Sequence, residues 1–301
     1  MSVPKIIFPA ILLMAMTQGA GAAEPPSIQA QVRQKLASRL AGIAEQVDGI
    51  VGYTVIDLTS GDRIDVLEQA AFPTASTIKL AILYELFRQV DAGTVKLSDT
   101  KVLDRKSAVD GGVLKDMGTP VLSLRDYAIL MIMLSDNTAT NVLIDTIGMD
   151  AVNRAVQQLG LRNTVLRRHM IDLDAARRGD ENVSTPSDLA ALLVALHKGE
   201  GLRPSSRDEL LAILKKPKVS ALLRGLPAGV DAASKPGDLE GVRADTAIVY
   251  AKNRPYVFVM MMTLLNDEAE GERAIEDASR AAYESFSRLG AATAYGRLLN
   301  R

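Results

Sequence analysis

The sequence predicts an α/β protein of the α+β kind, in which an antiparallel sheet assembled from both chain ends carries an inserted all-helical lobe. Three observations lead there. Strand-like apolar patterns occur near the start of the chain and again near its end. Between them lies a long stretch whose apolar residues recur at helical spacing. No repeat, low-complexity tract or interior linker divides the chain.

In chain order, residues 27–47 place Val32, Leu36, Leu40 and Ile43 at helical spacing, which predicts an amphipathic helix. Residues 49–58 and 63–67 flank the turn Thr59-Ser60-Gly61-Asp62, the pattern of a β-hairpin. From Ser76 to Leu223 the pattern is nearly all helical, punctuated at Gly93, Gly111-Gly112, Gly118-Thr119-Pro120, Gly148, Gly160 and Gly179. Strands return at residues 230–235, 243–250 and 256–264, and a last helix is expected over 272–289. The catalytic domain is expected over 24–301, with its sheet lobe in 24–72 and 225–301 and its helical lobe in 73–224. A junction between two such lobes is a natural cleft.

With 301 residues, 48% of them hydrophobic and 24% charged, the chain can bury one large core or two packed lobes. Thirty-five basic residues against 36 acidic ones leave no bulk charge to recruit nucleic acid or an anionic membrane. There is no cysteine and only His169 and His197, which excludes a thiol nucleophile and a disulfide scaffold and leaves too few donors for a structural zinc site. No metal or cofactor is expected.

The N-terminus reads as a targeting segment. Lys5 precedes an apolar run over residues 6–16, too short to span a bilayer, and Ala20-Gly21-Ala22 follows in the A-x-A pattern of a cleavage site. We expect a signal peptide over 1–23 and a mature protein that is periplasmic or secreted, monomeric, and without a lipid anchor.

The strongest chemical signal is Phe72-Pro73-Thr74-Ala75-Ser76-Thr77-Ile78-Lys79. A proline-bearing loop leads into a helical run there, so Ser76 lies at or near a helix N-terminus. The i, i+3 spacing puts the Ser76 and Lys79 side chains on one face, about 5–6 Å apart at Cβ. A serine hydroxyl is a weak nucleophile until a base takes its proton, and a lysine of depressed pKa can be that base. The S-x-x-K spacing alone is weak, since it recurs at Ser98 to Lys101 in a polar surface segment. Ser135-Asp136-Asn137, between apolar helical runs over 124–134 and 139–147, could be no more than a helix cap. Lys235-Pro236-Gly237 ends the first C-terminal strand in this reading.

Taken together and in this order, S-x-x-K, S-D-N and K-[ST]-G form the motif set of class A β-lactamases and penicillin-binding proteins. The chain resembles the class A serine β-lactamase family over essentially all of its mature length. Further matches are Leu122-Ser123-Leu124-Arg125-Asp126, Thr138-Ala139-Thr140-Asn141, Ser184-Thr185-Pro186 and Gly241-Val242-Arg243. The resemblance implies roles. Ser76 would become acylated, Lys79 would take or relay its proton, and Ser135 would pass a proton to the leaving nitrogen, helped by the charge of Lys235. Asn137 would hold the substrate amide. The N–H groups of Ser76 and Asp238, beside Gly237, would form an oxyanion hole. Lys235 and Arg243 would attract the substrate carboxylate.

The chain departs from the family in three places. The family's deacylation glutamate and the Leu-Asn after it are missing; alignment puts Met170 or its neighbours there, with Asp172, Asp174 and Glu181 the nearby acids that could substitute. Pro236 stands where the family has Thr or Ser, and Asp238 where small neutral residues are usual. The implied reaction is β-lactam hydrolysis through an acyl-Ser76 intermediate with slow deacylation. The alternatives are a peptidoglycan-type D,D-peptidase or esterase, and a module that binds β-lactam or cell-wall peptide without turnover.

Overall fold

The computed structural model describes Met1 and residues 27–299, so the expected signal peptide lies, apart from Met1, outside the described residues. The first elements among the described residues are α1 (Ile28–Glu45), β1 (Ile50–Asp57), β2 (Arg63–Val66) and β3 (Phe72–Pro73). A 3-10 turn over Ala75–Ile78 then runs into α2 (Lys79–Ala92), followed by β4 (Thr100–Val102), β5 (Val121–Ser123), α3 (Leu124–Met133) and α4 (Asn137–Ile147). Next come α5 (Met149–Gln158), α6 (Leu173–Arg177), β6 (Val183–Ser184), α7 (Pro186–Lys198), α8 (Pro204–Leu214) and α9 (Ala221–Arg224). The last elements are β7 (Ala232–Leu239), β8 (Val242–Val249), β9 (Tyr256–Thr263) and α10 (Glu268–Ala291).

Five of the strands form one antiparallel sheet in the order β2-β1-β9-β8-β7, with both chain ends contributing, as expected. β9 shows why the sheet is central. Its Tyr256, Phe258, Met260 and Met262 pack in the cluster that includes Leu36 and Leu40 of α1 and Ile275 and Phe286 of α10. The alternate residues Val257, Val259 and Met261 join the cluster of α2, α4 and α7 on the other side. A strand buried on both faces reads as a continuous apolar run, which is the sequence of β9.

The close approach of β3 and α7 to β1 depends on Gly52. A Cβ there would lie 2.6 Å from the Phe72 ring and 3.1 Å from Pro186, so β3 and the start of α7 can approach only a strand that lacks a side chain at this point. Pro186 at the first turn of α7 and Thr185, whose side chain accepts from the Asp188 N–H, fix that helix start.

Three expectations about elements need correction. The stretch read as nearly all helical also contains β3 paired with β6 and β4 paired with β5. Two- and three-residue strands are too short to show a period. The last helix starts at Glu268, capped by Asp267, one turn earlier than the apolar pattern suggests. β7 does not end at Lys235; it runs through Lys235-Pro236-Gly237 to Leu239. β7 is an edge strand, where a proline's missing N–H need not break a ladder, and the buried Lys235 amine finds partners that sequence alone does not reveal.

Gly52→Ala should destabilise the fold by about 1–3 kcal/mol, the usual size of an overpacking penalty, because the added Cβ would press on the buried ring of Phe72. Thermal unfolding checks this, as a Tm several degrees below that of the unaltered protein.

Candidate active site

Three chain segments meet at one hydroxyl. The 3-10 turn carries Ser76, half-buried, and delivers Lys79 to the first position of α2 with its side chain fully buried. Lys79 Nζ lies 2.9 Å from Ser76 Oγ, 2.7 Å from the Ser135 carbonyl, 3.0 Å from Ser135 Oγ and 2.9 Å from Asn137 Oδ1. Four acceptors surround a group that has three protons as an ammonium and two as an amine. In the neutral form its lone pair can face Ser76, and the same 2.9 Å contact then runs from the hydroxyl to the amine.

The electrostatics favour that form. Desolvation holds the Lys79 pKa well below its ordinary 10.5, and the positive charge of Lys235 pushes the same way, while Asp136 and Asp238 oppose more weakly. Lys235 is also buried; burial lowers it to about 7, with Asp245 and Asp238 opposing. Its Nζ donates to Ser135 Oγ at 3.1 Å and to the Pro236 carbonyl at 2.8 Å. Ser135 Oγ donates in turn to Ser76 Oγ at 2.8 Å. One hydroxyl thus connects both lysines to Ser76.

The backbone around these groups is held under strain. Ala75 and Ser135 both take positive φ, 45° and 53°, a region that residues with side chains seldom occupy. At Ser135 the turn aims both the hydroxyl and the carbonyl at Lys79. The next residue, Asp136, is buried and caps α4 by accepting from the Ala139 N–H at 2.8 Å; its other oxygen accepts from the Leu114 N–H at 2.9 Å. Gly112 allows this, since a Cβ there would sit 2.1 Å from the carboxylate. The loop containing Gly111 and Gly112 therefore straps over the start of α4.

Of the expected substrate contacts, Asn137 is placed beside Lys79, and its amide is already at work. Oδ1 accepts from Lys79, Nδ2 donates to the Asp110 carbonyl at 2.9 Å, and its backbone N–H donates to the Gly111 carbonyl at 2.8 Å. Gly237 lies against the nucleophile, since a Cβ there would be 2.9 Å from both Ser76 N and Thr74 O. That contact sets the backbone of β7 at Gly237 against the backbone of Thr74 and Ser76.

Arg243 lies on the other face of β7 and β8 and is held by contacts within the chain. Cross-strand pairing puts it with Asp238 and Asp245 on the sheet face opposite Lys235 and Gly237. Its Nε stands 3.4 Å from Glu272 and 3.8 Å from Asp238, and Nη1 donates to the Leu239 and Val242 carbonyls. Nε and Nη1 are thus engaged within the chain.

The acids that could replace the deacylation glutamate are committed too. Asp172 caps α6 through the Ala175 N–H, Asp174 pairs with Arg177 in solvent, and Glu181 holds the buried Arg168 at 2.6 Å. Met170 is buried in the core, and its N–H and carbonyl are gripped by the side chain of Asn141, one turn along α4 from Asn137. Ser98 and Lys101, the second S-x-x-K, are exposed around β4 and have no part in the site.

Sequence reading missed Asp136 and Asn141 as positioning residues, although both stand inside or just after S-D-N. It also missed Asp245, a buried carboxylate whose pKa burial raises to about 6. Ser220 and the Leu222 and Thr246 N–H groups hold Asp245, and it opposes the loss of charge on Lys235.

Comparison with known proteins gives one consistent answer. Residues 35–286 match the family described as the beta-lactamase enzyme family. The chain is 26% identical over 246 residues to the beta-lactamase CARB-3 of Pseudomonas aeruginosa, covering 80% of this chain and 85% of that one. It superposes on the beta-lactamase of Sphaerobacter thermophilus with a TM-score of 0.77 at 34% identity, covering 84% and 97% of the two chains. It also superposes on PBP-A with a TM-score of 0.76 at 33% identity, covering 84% and 96%. A leucine-to-glutamate variant of PBP-A, described as an acyl-enzyme complex with penicillin G, aligns at 32% identity with the same TM-score, covering 85% and 96%.

The two lysines predict opposite pH limbs. Proton removal needs Lys79 neutral, so acylation should rise with pH through its lowered pKa. Support of Ser135 needs Lys235 charged, so acylation should fall again above about 7. Lys235→Arg, whose side chain stays protonated, should remove the falling limb; rates of acyl-enzyme formation measured across pH check this.

Proposed function

This chain belongs to the beta-lactamase enzyme family, as a divergent class A member of serine-hydrolase type, and on that premise we propose that it opens β-lactams by acylating Ser76 and releases the product slowly. One observation carries the reading: a buried amine of lowered pKa lies 2.9 Å from the serine hydroxyl. Lys79 takes the Ser76 proton as the Oγ–carbonyl carbon bond forms, and the N–H groups of Ser76 and Asp238 receive the charge that develops on the carbonyl oxygen. The lactam C–N bond then breaks. Its nitrogen takes the proton of Ser135, and Ser135 recovers one from the Lys79 ammonium 3.0 Å away. The proton removed from the nucleophile thereby reaches the leaving group. The charged Lys235, donating to Ser135 Oγ, lowers the cost of that transfer.

Release of the acyl group requires an activated water. The burial of Met170 and the prior engagement of Asp172, Asp174 and Glu181 support a slow second step. The same features support a second reading, a cell-wall D,D-peptidase or esterase that shares the acylation apparatus and passes its acyl group on by a slower route. The N-terminal segment around Lys5 and Ala20-Gly21-Ala22 supports action outside the cytoplasm.

Mixing with benzylpenicillin should give a burst of one acyl group per protein and then slow steady turnover. A missing general base is worth about 10²–10⁴-fold in rate, so the ester accumulates. Intact-protein mass spectrometry reads the adduct and its lifetime. Met170→Glu should shorten that lifetime. An adduct that never forms removes the β-lactam reading, and rapid turnover without a burst removes the slow step.

A further inference from the structure

Acyl transfer as described above needs one buried amine neutral and the other charged, and the inference drawn from that need rests on the same reading. Asp245 is a buried carboxylate that the reaction steps leave unused. It is 1% exposed. Its oxygens accept from the Ser220 hydroxyl at 2.6 Å and from the N–H groups of Leu222 and Thr246 at 3.0 and 2.9 Å. All three donors are neutral, so they favour the ionised form without cancelling its charge. Burial raises the Asp245 pKa to about 6, and the three bonds limit the rise, so the charge is present wherever Lys235 titrates.

Lys235 is the diagonal neighbour of Asp245 across the sheet. β7 and β8 pair Lys235 with Thr246 and Pro236 with Asp245, and the Thr246 hydroxyl donates to the Lys235 carbonyl at 2.9 Å. The two side chains leave opposite faces, the amine toward Ser135 and the carboxylate toward Ser220 and the start of α9. Asp245 therefore acts on Lys235 by its field and makes no contact with the amine. Both residues are out of water, so little solvent screens that field.

Other charges bear on Lys235 from each side. Lys218, ahead of α9, presses against its proton, and Lys79 of α2 does so only while charged itself. Asp238 on β7 favours the proton, but its side chain is 66% exposed and stands 3.8 Å from Arg243. Asp136, at the start of α4, bears on Lys79. Asp245 is left as the buried countercharge of Lys235. We propose that Asp245 is a positioning residue for acylation: acting through β8 and β7, its charge keeps the Lys235 ammonium donating to Ser135 while Lys79 gives up its own proton.

NMR titration of lysines labelled at the ε-carbon reads Lys235 without any substrate, its signal assigned by its loss in Lys235→Arg. Asp245→Asn, close to the same size, should lower the Lys235 midpoint by about one pH unit. The falling limb of acyl-enzyme formation with benzylpenicillin should move to lower pH by the same amount. In a Lys235→Arg background, where the side chain keeps its proton, Asp245→Asn should leave the shape of the pH profile unchanged. Ser220→Ala removes one donor and retains the carboxylate, so it should shift Lys235 the same way by less, and it stands in if the Asn variant does not fold. A Lys235 midpoint that neither substitution moves overturns the role of Asp245 and leaves acyl transfer standing. So does a rate lowered equally at every pH, which a merely structural residue would give. Absence of any adduct with benzylpenicillin overturns the acyl-transfer reading, and the part of Asp245 in it, whatever Lys235 does.

Discussion

Two lysine amines buried within hydrogen-bond reach of a single serine set the terms for the rest of this structure. An isolated ammonium taken out of water costs several kcal/mol even after relaxation, so a protein that buries two must lower their pKa values, supply partners, or do both. Here both are done. Asp136 and Asp245 lie near the pair without forming an ion pair with either amine, and the contacts themselves come from neutral oxygens of Ser76, Ser135, Asn137 and Pro236. That choice keeps Lys79 able to lose its proton. A carboxylate in direct contact would hold the proton on and remove the base.

The surrounding architecture follows from this requirement. Ser135 must present hydroxyl and carbonyl together, which takes a left-handed residue between α3 and α4, and the capped start of α4 holds that residue in place. Lys235 must reach the same hydroxyl from the sheet, so β7 has to run past the 3-10 turn closely enough that only glycine fits at residue 237. The sheet gathers its strands from both chain ends, and its edge meets the helices where the nucleophile sits.

Much of this was legible in the sequence, and the parts that were not share a cause. The sheet, the flanking helices and the trio Ser76, Lys79 and Ser135 announce themselves through period and motif. Burial explains why Lys235 and Pro236 misled: a lysine and a proline end a strand pattern on propensity, whereas their place in β7 is decided by partners on another segment. The contacts of Arg243 were hidden for a related reason. Its neighbours in sequence say nothing about Glu272, 29 positions away on α10, and a charge already paired reads in one dimension like a free one. The S-x-x-K at Ser98 shows the converse, since the same letters around an exposed strand bring nothing together.

The account stands on Lys79 being able to shed its proton under the conditions in which the serine reacts. The most direct test is an NMR titration of the lysine side chains labelled at the ε-carbon, with the Lys79 signal assigned by its loss in Lys79→Met. The account predicts a Lys79 resonance that titrates well below the ordinary 10.5, apart from the exposed lysines. A Lys79 that keeps its proton up to that value would contradict it.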